Sequence, residues 1–255
     1  MFFNRLSDGR QRSKCQLGAA LLAMMLMALS CTAPRGPERS PAADFVDGEA
    51  GLPHLARRFA PRLYLQADEP YEIEAVIVVF HPTLSIIAYH IFFEDDALYS
   101  KKRSVLHHEL VWIQYDPVTL KIMDVVTFWH RTTLRTDDCV LEARGNQQRP
   151  RIEVQWGQHG LLPWGWRNLN TARPRLELAL HYSLVARPRR SREEKTGGGS
   201  PLFEGSYEQY LQLTEHLDIS PYIREDGVMV AEHPDGKMGI LLRRAYAEKK
   251  EWPHW

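Results

Sequence analysis

This chain is poor in cysteine. Its 255 residues hold three, at positions 15, 31 and 139, so no disulfide framework can carry the fold. It also lacks net charge. Thirty-two Lys and Arg balance thirty-two Asp and Glu, which excludes the basic footprint expected of a nucleic-acid partner. No apolar run reaches the roughly 20 residues that a membrane-spanning helix requires. No Gly-rich phosphate loop, dinucleotide fingerprint or GxSxG nucleophile elbow occurs. His108-Glu109 opens like a zincin HExxH, but Trp112 stands where the second histidine belongs. What remains is an ordinary globular mixture, 44% apolar and 25% charged, with seven Trp, ten Tyr and nine Phe.

The N-terminus reads as a targeting segment. Arg5, Arg10, Arg12 and Lys14 precede an apolar stretch over residues 17–29, LGAALLAMMLMAL. A basic region followed by about thirteen apolar residues is the pattern of a cleaved signal. Ser30 and Cys31 follow, and the segment resembles a bacterial lipoprotein signal peptide. That resemblance implies cleavage before Cys31 and acylation of Cys31, with palmitate-type chains as the anchor. Ala28, three before the cysteine, departs from the usual Leu. Thr32 beside the cysteine lacks the Asp that favours inner-membrane retention, so the expected location is the outer membrane, facing the periplasm. Residues 31–53, rich in Pro, Gly, Ala and charge, read as a flexible tether. Cys139 is then the one thiol of the folded part. Its neighbours Asp137 and Asp138 disfavour a thiolate, so a plain buried cysteine is expected.

From residue 54 the chain patterns as strands. A short helix is expected near 54–65, broken at Pro61. β-branched runs at 73–80, 86–93, 110–115 and 122–129 read as strands, and 139–143 and 152–156 as two more. Residues 175–184, RLELALHYSL, alternate strictly, the period of a half-buried strand. Residues 187–201 read as a charged, Gly-rich surface loop. Its arginines at 187, 189, 190 and 192 are solvated or face anionic lipid. Residues 207–217 suit a short helix. Residues 228–231 and 238–242, around Pro234-Asp235-Gly236, suit a hairpin. The expected fold is mainly β, an antiparallel β-sandwich-like domain with a few short helices. The expected division is a signal at 1–30, tether at 31–53, sandwich core at 54–186, loop at 187–205, and a C-terminal helix and hairpin at 206–255.

Chemistry-bearing residues gather at strand ends. His90 lies inside the 86–93 run, and Glu94, Asp95 and Asp96 close it. His107, His108 and Glu109 open the next run, His130 ends the fourth, and His159 sits in a Gly-flanked turn. By strand parity His107 and Glu109 share one face, and His108 takes the other. The candidate metal ligands are His90, Asp95, His107, His108, Glu109, His130 and His159. A His and carboxylate set suits Zn or Mn, and an all-oxygen set suits Ca or Mg. Without a metal, an imidazole–carboxylate pair suits acid/base work. Each residue also has a plain structural reading as a hydrogen-bonded core histidine or a solvated turn. Trp164 and Trp166, beside Gly165, are candidates for lining a ligand cleft or for closing the sandwich.

The motifs YHIFFEDD (89–96), HHELVWIQYDP (107–117), TFWHR (127–131) and VQWGQHGLLPWGW (154–166) resemble a group of uncharacterised bacterial lipoproteins. The resemblance covers residues 60–170. More distantly they are similar to the sandwich folds of necrosis-inducing-type and Vps62-like proteins. Those carry HDWE or GDWE before an apolar strand and a later HG turn. In the necrosis-inducing family this motif helps hold a divalent cation, and those proteins act on membranes. The resemblance implies Asp95, His108 and Glu109 as ligands. The Asp-Trp pair before the Glu is missing here, and strand parity sets His108 opposite Glu109.

Two functions are therefore expected to compete. One is a membrane-anchored envelope lipoprotein that binds an envelope protein or glycan, with a structural divalent cation. The other is a metal-dependent hydrolase using the His and carboxylate set.

Overall fold

The computed structural model describes residues 51–97, 107–186, 201–236, 238 and 247–255. The chain divides into two compact units, Met1–Glu38 and Arg39–Trp255. The first unit lies outside the described residues, as do Cys31, the tether to residue 50, the 187–200 loop and most of the 238–242 strand. Every described residue belongs to the second unit.

Its fold is mainly β, with ten strands in two sheets among the described residues. Helix α1 (Leu52–Arg58) leads into β1 (Arg62–Leu65), β2 (Ile73–Phe80), β3 (Ile86–Phe93), β4 (His107–Tyr115), β5 (Ile122–Trp129) and β6 (Thr132–Leu134). Helix α2 (Asp137–Gly145), β7 (Arg151–Val154), β8 (Leu161–Pro163) and helix α3 (Arg173–Val185) follow. Helix α4 (Tyr207–Tyr210), β9 (Glu215–Asp218) and β10 (Ile223–Val230) complete the regular elements. The large sheet has the order β10-β2-β3-β4-β5-β6 and the small sheet β8-β7-β1-β9. Neighbours run antiparallel except β1 with β7 and β2 with β10, which are parallel.

The main core fills the space between the sheets. Ile87, Tyr89, Ile91 and Phe93 of β3, with Val111 and Ile113 of β4, meet Leu63 of β1 and Ile152 and Val154 of β7. The Tyr89 hydroxyl donates to the Ala56 carbonyl at 2.8 Å and fastens α1 there. Every residue of β3 is buried. Its opposite face, with Ala88, Leu110, Trp112, Val126 and Phe128, packs against Met229, Ala231, Met238 and Trp252. A sheet covered on both sides has no alternation to show.

Three segments fold otherwise than their patterns suggest. Residues 139–143, expected as a strand, lie in α2. Thr136 accepts from the Cys139 amide at 3.1 Å and supplies the N-cap. Asp137 and Asp138 sit in the first turn, where the helix dipole favours acids. Residues 175–184, expected as a strand, form α3. Pro174 opens it, and Leu178 and Val185, seven apart, bury one helical face with Pro174. The alternating leucines are good helix formers with no β-branched residue before Val185. The helix expected over 207–217 stops at Tyr210. A Ser206–Gln209 capping box starts it, and residues 215–218 instead pair with β1. Cys139 is buried, and burial pushes its thiol pKa up, in line with an inert core cysteine.

The Thr136 cap yields a prediction. Thr136→Ala is expected to cost about 1 kcal/mol of stability, measured by urea unfolding, because the Cys139 amide loses its acceptor.

Candidate functional site

The strand-end residues do come together, but as separate pairs on two faces. On the face turned towards the small sheet, His107 lies between two carboxylates. Its Nδ1 is 3.3 Å from Asp96 Oδ2, and its Nε2 is 2.8 Å from Glu109 Oε1. Strand parity places His107 and Glu109 there, as the sequence predicts. The Glu109 carboxylate is buried. Burial alone would raise its pKa, but the Lys249 ammonium and the bond from His107 bring it below the usual range. Lys249, itself buried, lies 3.6 Å from Glu109 Oε2. It also donates to the His108 carbonyl and stands 5.1 Å from the Phe128 ring centre. That carbonyl falls short of the β4–β5 ladder, which begins at Val111. The lysine therefore satisfies backbone that the sheet leaves open.

His159 is fully buried at the same end of the sheet, stacked on Phe93 with ring centres 3.8 Å apart. Its ring lies 5.2 Å from that of His107. Its Nε2 meets Glu69 Oε1 at 3.1 Å, and the Gly157 amide donates to Glu69 Oε2 at 2.9 Å. Burial pushes Glu69 up to about 8 and His159 well below its ordinary value. At neutral pH the pair is therefore neutral overall. The turn that carries it is tight. His159 has φ 58°, and a Cβ on Gly160 would stand 2.6 Å from Trp129. Only glycine lets the Trp129 ring come this close.

His130, also in a left-handed conformation at φ 51°, faces a third group. Its Nε2 is 3.2 Å from Gln155 Oε1. Gln155 Nε2 in turn bonds the Tyr210 hydroxyl at 2.9 Å and His181 Nδ1 at 2.8 Å. The His130 and His181 rings meet edge to face, 4.5 Å apart. Burial lowers His130 and brings His181 to about 4.

On the opposite face of the large sheet, His90 and His108 stack with ring centres 4.9 Å apart. His90 Nδ1 meets His108 Nε2 at 2.7 Å, and His90 Nε2 meets the Pro234 carbonyl at 2.6 Å. A carbonyl only accepts, so His90 carries its proton on Nε2, and its Nδ1 accepts from His108. This run of hydrogen bonds needs a neutral His90, whose Nδ1 must keep its lone pair. Burial holds His90 at about 4 and His108 well below its ordinary value.

Asp95 turns back on the Asp96 amide at 2.8 Å and joins neither group. Trp166 is buried, and its indole N–H donates to Glu153 at 2.8 Å. Trp164 is half-buried over the Arg151 guanidinium, which Tyr64 covers from the other side, each ring centre 4.0 Å away. Both tryptophans therefore serve packing on the small sheet. Among the described residues no three His, Cys, Asp or Glu side chains are placed to hold a metal ion. The donor chemistry explains this. The nitrogens of His90, His107 and the Nε2 of His159 already face protein partners, and the sheet separates His108 from Glu109. The resemblance-implied set of Asp95, His108 and Glu109 does not converge. Asp96, Glu69, Gln155, His181, Tyr210 and Lys249 complete these groups and carry no motif of their own.

The buried pairs set stability in two measurable ways. Glu109→Gln is expected to cost about 3 kcal/mol in urea unfolding, because it takes the carboxylate charge from beside the buried Lys249 ammonium. Combining it with Lys249→Met should recover at least half of that loss; strict additivity of the two would rule out the coupling. The imidazoles set a pH dependence. A histidine with a depressed folded pKa stays neutral in the fold, while the unfolded chain takes up its proton near pH 6.5. The contribution of these histidines to stability is therefore expected to fall from pH 6.5 towards pH 5. The slope is about 1.4 kcal/mol per pH unit for each such proton. Glu69, raised to about 8, runs the other way, lowering stability from pH 6.5 up to about 8 and offsetting His159 below pH 6.5. This leaves His90, His108, His130 and His181 to set the sign between pH 6.5 and pH 5. Urea midpoints that do not change between pH 7 and pH 5 would contradict this.

No family model, curated protein or solved structure matches this chain, so the site is interpreted from its own chemistry.

Proposed function

We propose that this chain is a lipid-anchored protein of the bacterial cell envelope, held at the outer membrane through Cys31 and facing the periplasm. Its β domain binds an envelope protein or glycan rather than turning over a substrate. One observation carries the non-enzymatic reading. His90 and His107 have both ring nitrogens against protein groups, and the second nitrogens of His108 and His159 are buried away from solvent. A general base needs a free nitrogen aimed at its substrate. The anchor reading is supported by the basic, apolar and Ser30-Cys31 order of the N-terminus.

A second reading, a metal-dependent hydrolase, is favoured by one feature. The His107 side chain is 24% exposed beside Glu109, whose Oε2 has the Lys249 ammonium at 3.6 Å and no closer partner among the described residues. The test is made on the full chain, produced in a bacterial host and purified without chelator. Mass spectrometry is expected to find acyl chains on an N-terminal Cys31 and no stoichiometric metal. A Cys31→Ser chain that stays in the membrane fraction without lipid would overturn the anchor. A stoichiometric metal lost in Glu109→Gln would favour the hydrolase.

A further inference from the structure

Helix α3 has a face that no described element covers. At 100° per residue, Pro174, Leu178 and Val185 form its buried side. The opposite side presents Ala172, Leu176, Ala179, Leu180 and Ser183, all exposed. Leu176 is 67% exposed and Leu180 is 56% exposed. Leu184 extends the same arc, half-buried. Leu202, 44% exposed, lies beside the end of the helix, where the Phe203 amide donates to the Val185 carbonyl. A solvent-facing helix side ordinarily carries charge, and this one carries leucine and alanine.

The exposed charges on the helix itself are basic, while Glu204 is exposed near its C-terminal end and Glu208 on the neighbouring helix. The exposed charged residues of the helix are Arg173 and Arg175. The single acid, Glu177, is drawn in, with one oxygen bonded to Arg173 at 2.8 Å and the other to the Trp129 indole at 3.0 Å. Arg167, 42% exposed at its side chain, lies close by, since Arg175 donates to its carbonyl. Exposed leucines rimmed by arginines match the interfacial pattern, in which apolar side chains enter the acyl boundary and guanidinium groups meet phosphate. A water-soluble protein partner is a poorer fit, because the one polar side chain of the stripe, Ser183, already donates its hydroxyl to the Leu180 carbonyl.

We infer that the outer face of α3 is a membrane-docking surface, on which Leu176, Leu180 and Leu184 rest in an anionic lipid bilayer with Arg173 and Arg175 at the headgroups. This builds on the lipid-anchor reading, which places the domain beside a bilayer. It adds an orientation, with the α3 side of the domain laid against the membrane.

The test uses the full chain in vesicles, with a nitroxide on Leu180→Cys and, as control, on Val118→Cys. Val118 is 89% exposed in the β4–β5 turn, and buried Cys139 escapes labelling. On phosphatidylglycerol-containing vesicles the label at 180 is expected to collide several-fold more with oxygen, relative to a nickel chelate, than the label at 118. Arg173→Ser with Arg175→Ser should reduce that difference. Equal ratios at 180 and 118 would overturn the proposal. So would dipolar coupling between labels on two chains with no gain in oxygen contact, which would assign the stripe to self-association. The mass of the N-terminal peptide reports the anchor separately, and a chain without acyl groups, with Cys15→Ser and Cys31→Ser so that position 180 or 118 alone is labelled, still tests the surface when mixed with excess vesicles.

Discussion

Burial of both faces of β3 and β4 is the constraint on which the rest of this domain depends. A strand covered on one side can leave its polar residues in water, but these two strands cannot. His90, His108 and Glu109 must therefore find partners inside the protein. The two imidazoles bond to each other and to Pro234, and Glu109 takes His107 and Lys249. The C-terminal residues are recruited as much by these polar needs as by the apolar contacts of Trp112 and Phe128.

The same constraint explains why the histidines look like a site in the sequence and behave as internal pairs in the fold. Ligand sets for metals converge on one point with open lone pairs. Here the strand alternation distributes the rings to two faces, and each face supplies its own acceptors. Lys249 is the clearest case. An ammonium brought to Glu109 fills the cation position by a tether within the chain.

Much of the large sheet was legible in the sequence, because β2, β3, β4 and β5 are rich in β-branched and aromatic residues and are ended by turns. Their face assignments were legible too, since parity alone separates His107 and Glu109 from His108. The helices were less so. In α3 the leucines alternate, and a period of two masks a helix whose buried residues are seven apart. In α2 the capping Thr136 is the deciding signal, and the following Cys-Val-Leu reads as strand without it. Glu69, Gln155 and Lys249 were not legible at all. Each is a lone polar residue whose role depends on a partner distant in the chain, 90 residues away for Glu69 and His159.

The small sheet also sets the order in which this domain can form. Its central strand β1 lies between β7 and β9, with Arg62 opposite both Arg151 and Asp218. The large sheet closes its edge the same way, since β2 waits for β10. A chain emerging from its N-terminus therefore exposes β1 unpaired until β7 follows at Arg151, and leaves its other edge open until β9 follows at Glu215. It completes the small sheet only at Glu215–Asp218 and the large sheet only at Ile223–Val230. During synthesis or export, the polypeptide thus stays open and threadable for most of its length, and it locks late from its C-terminal end.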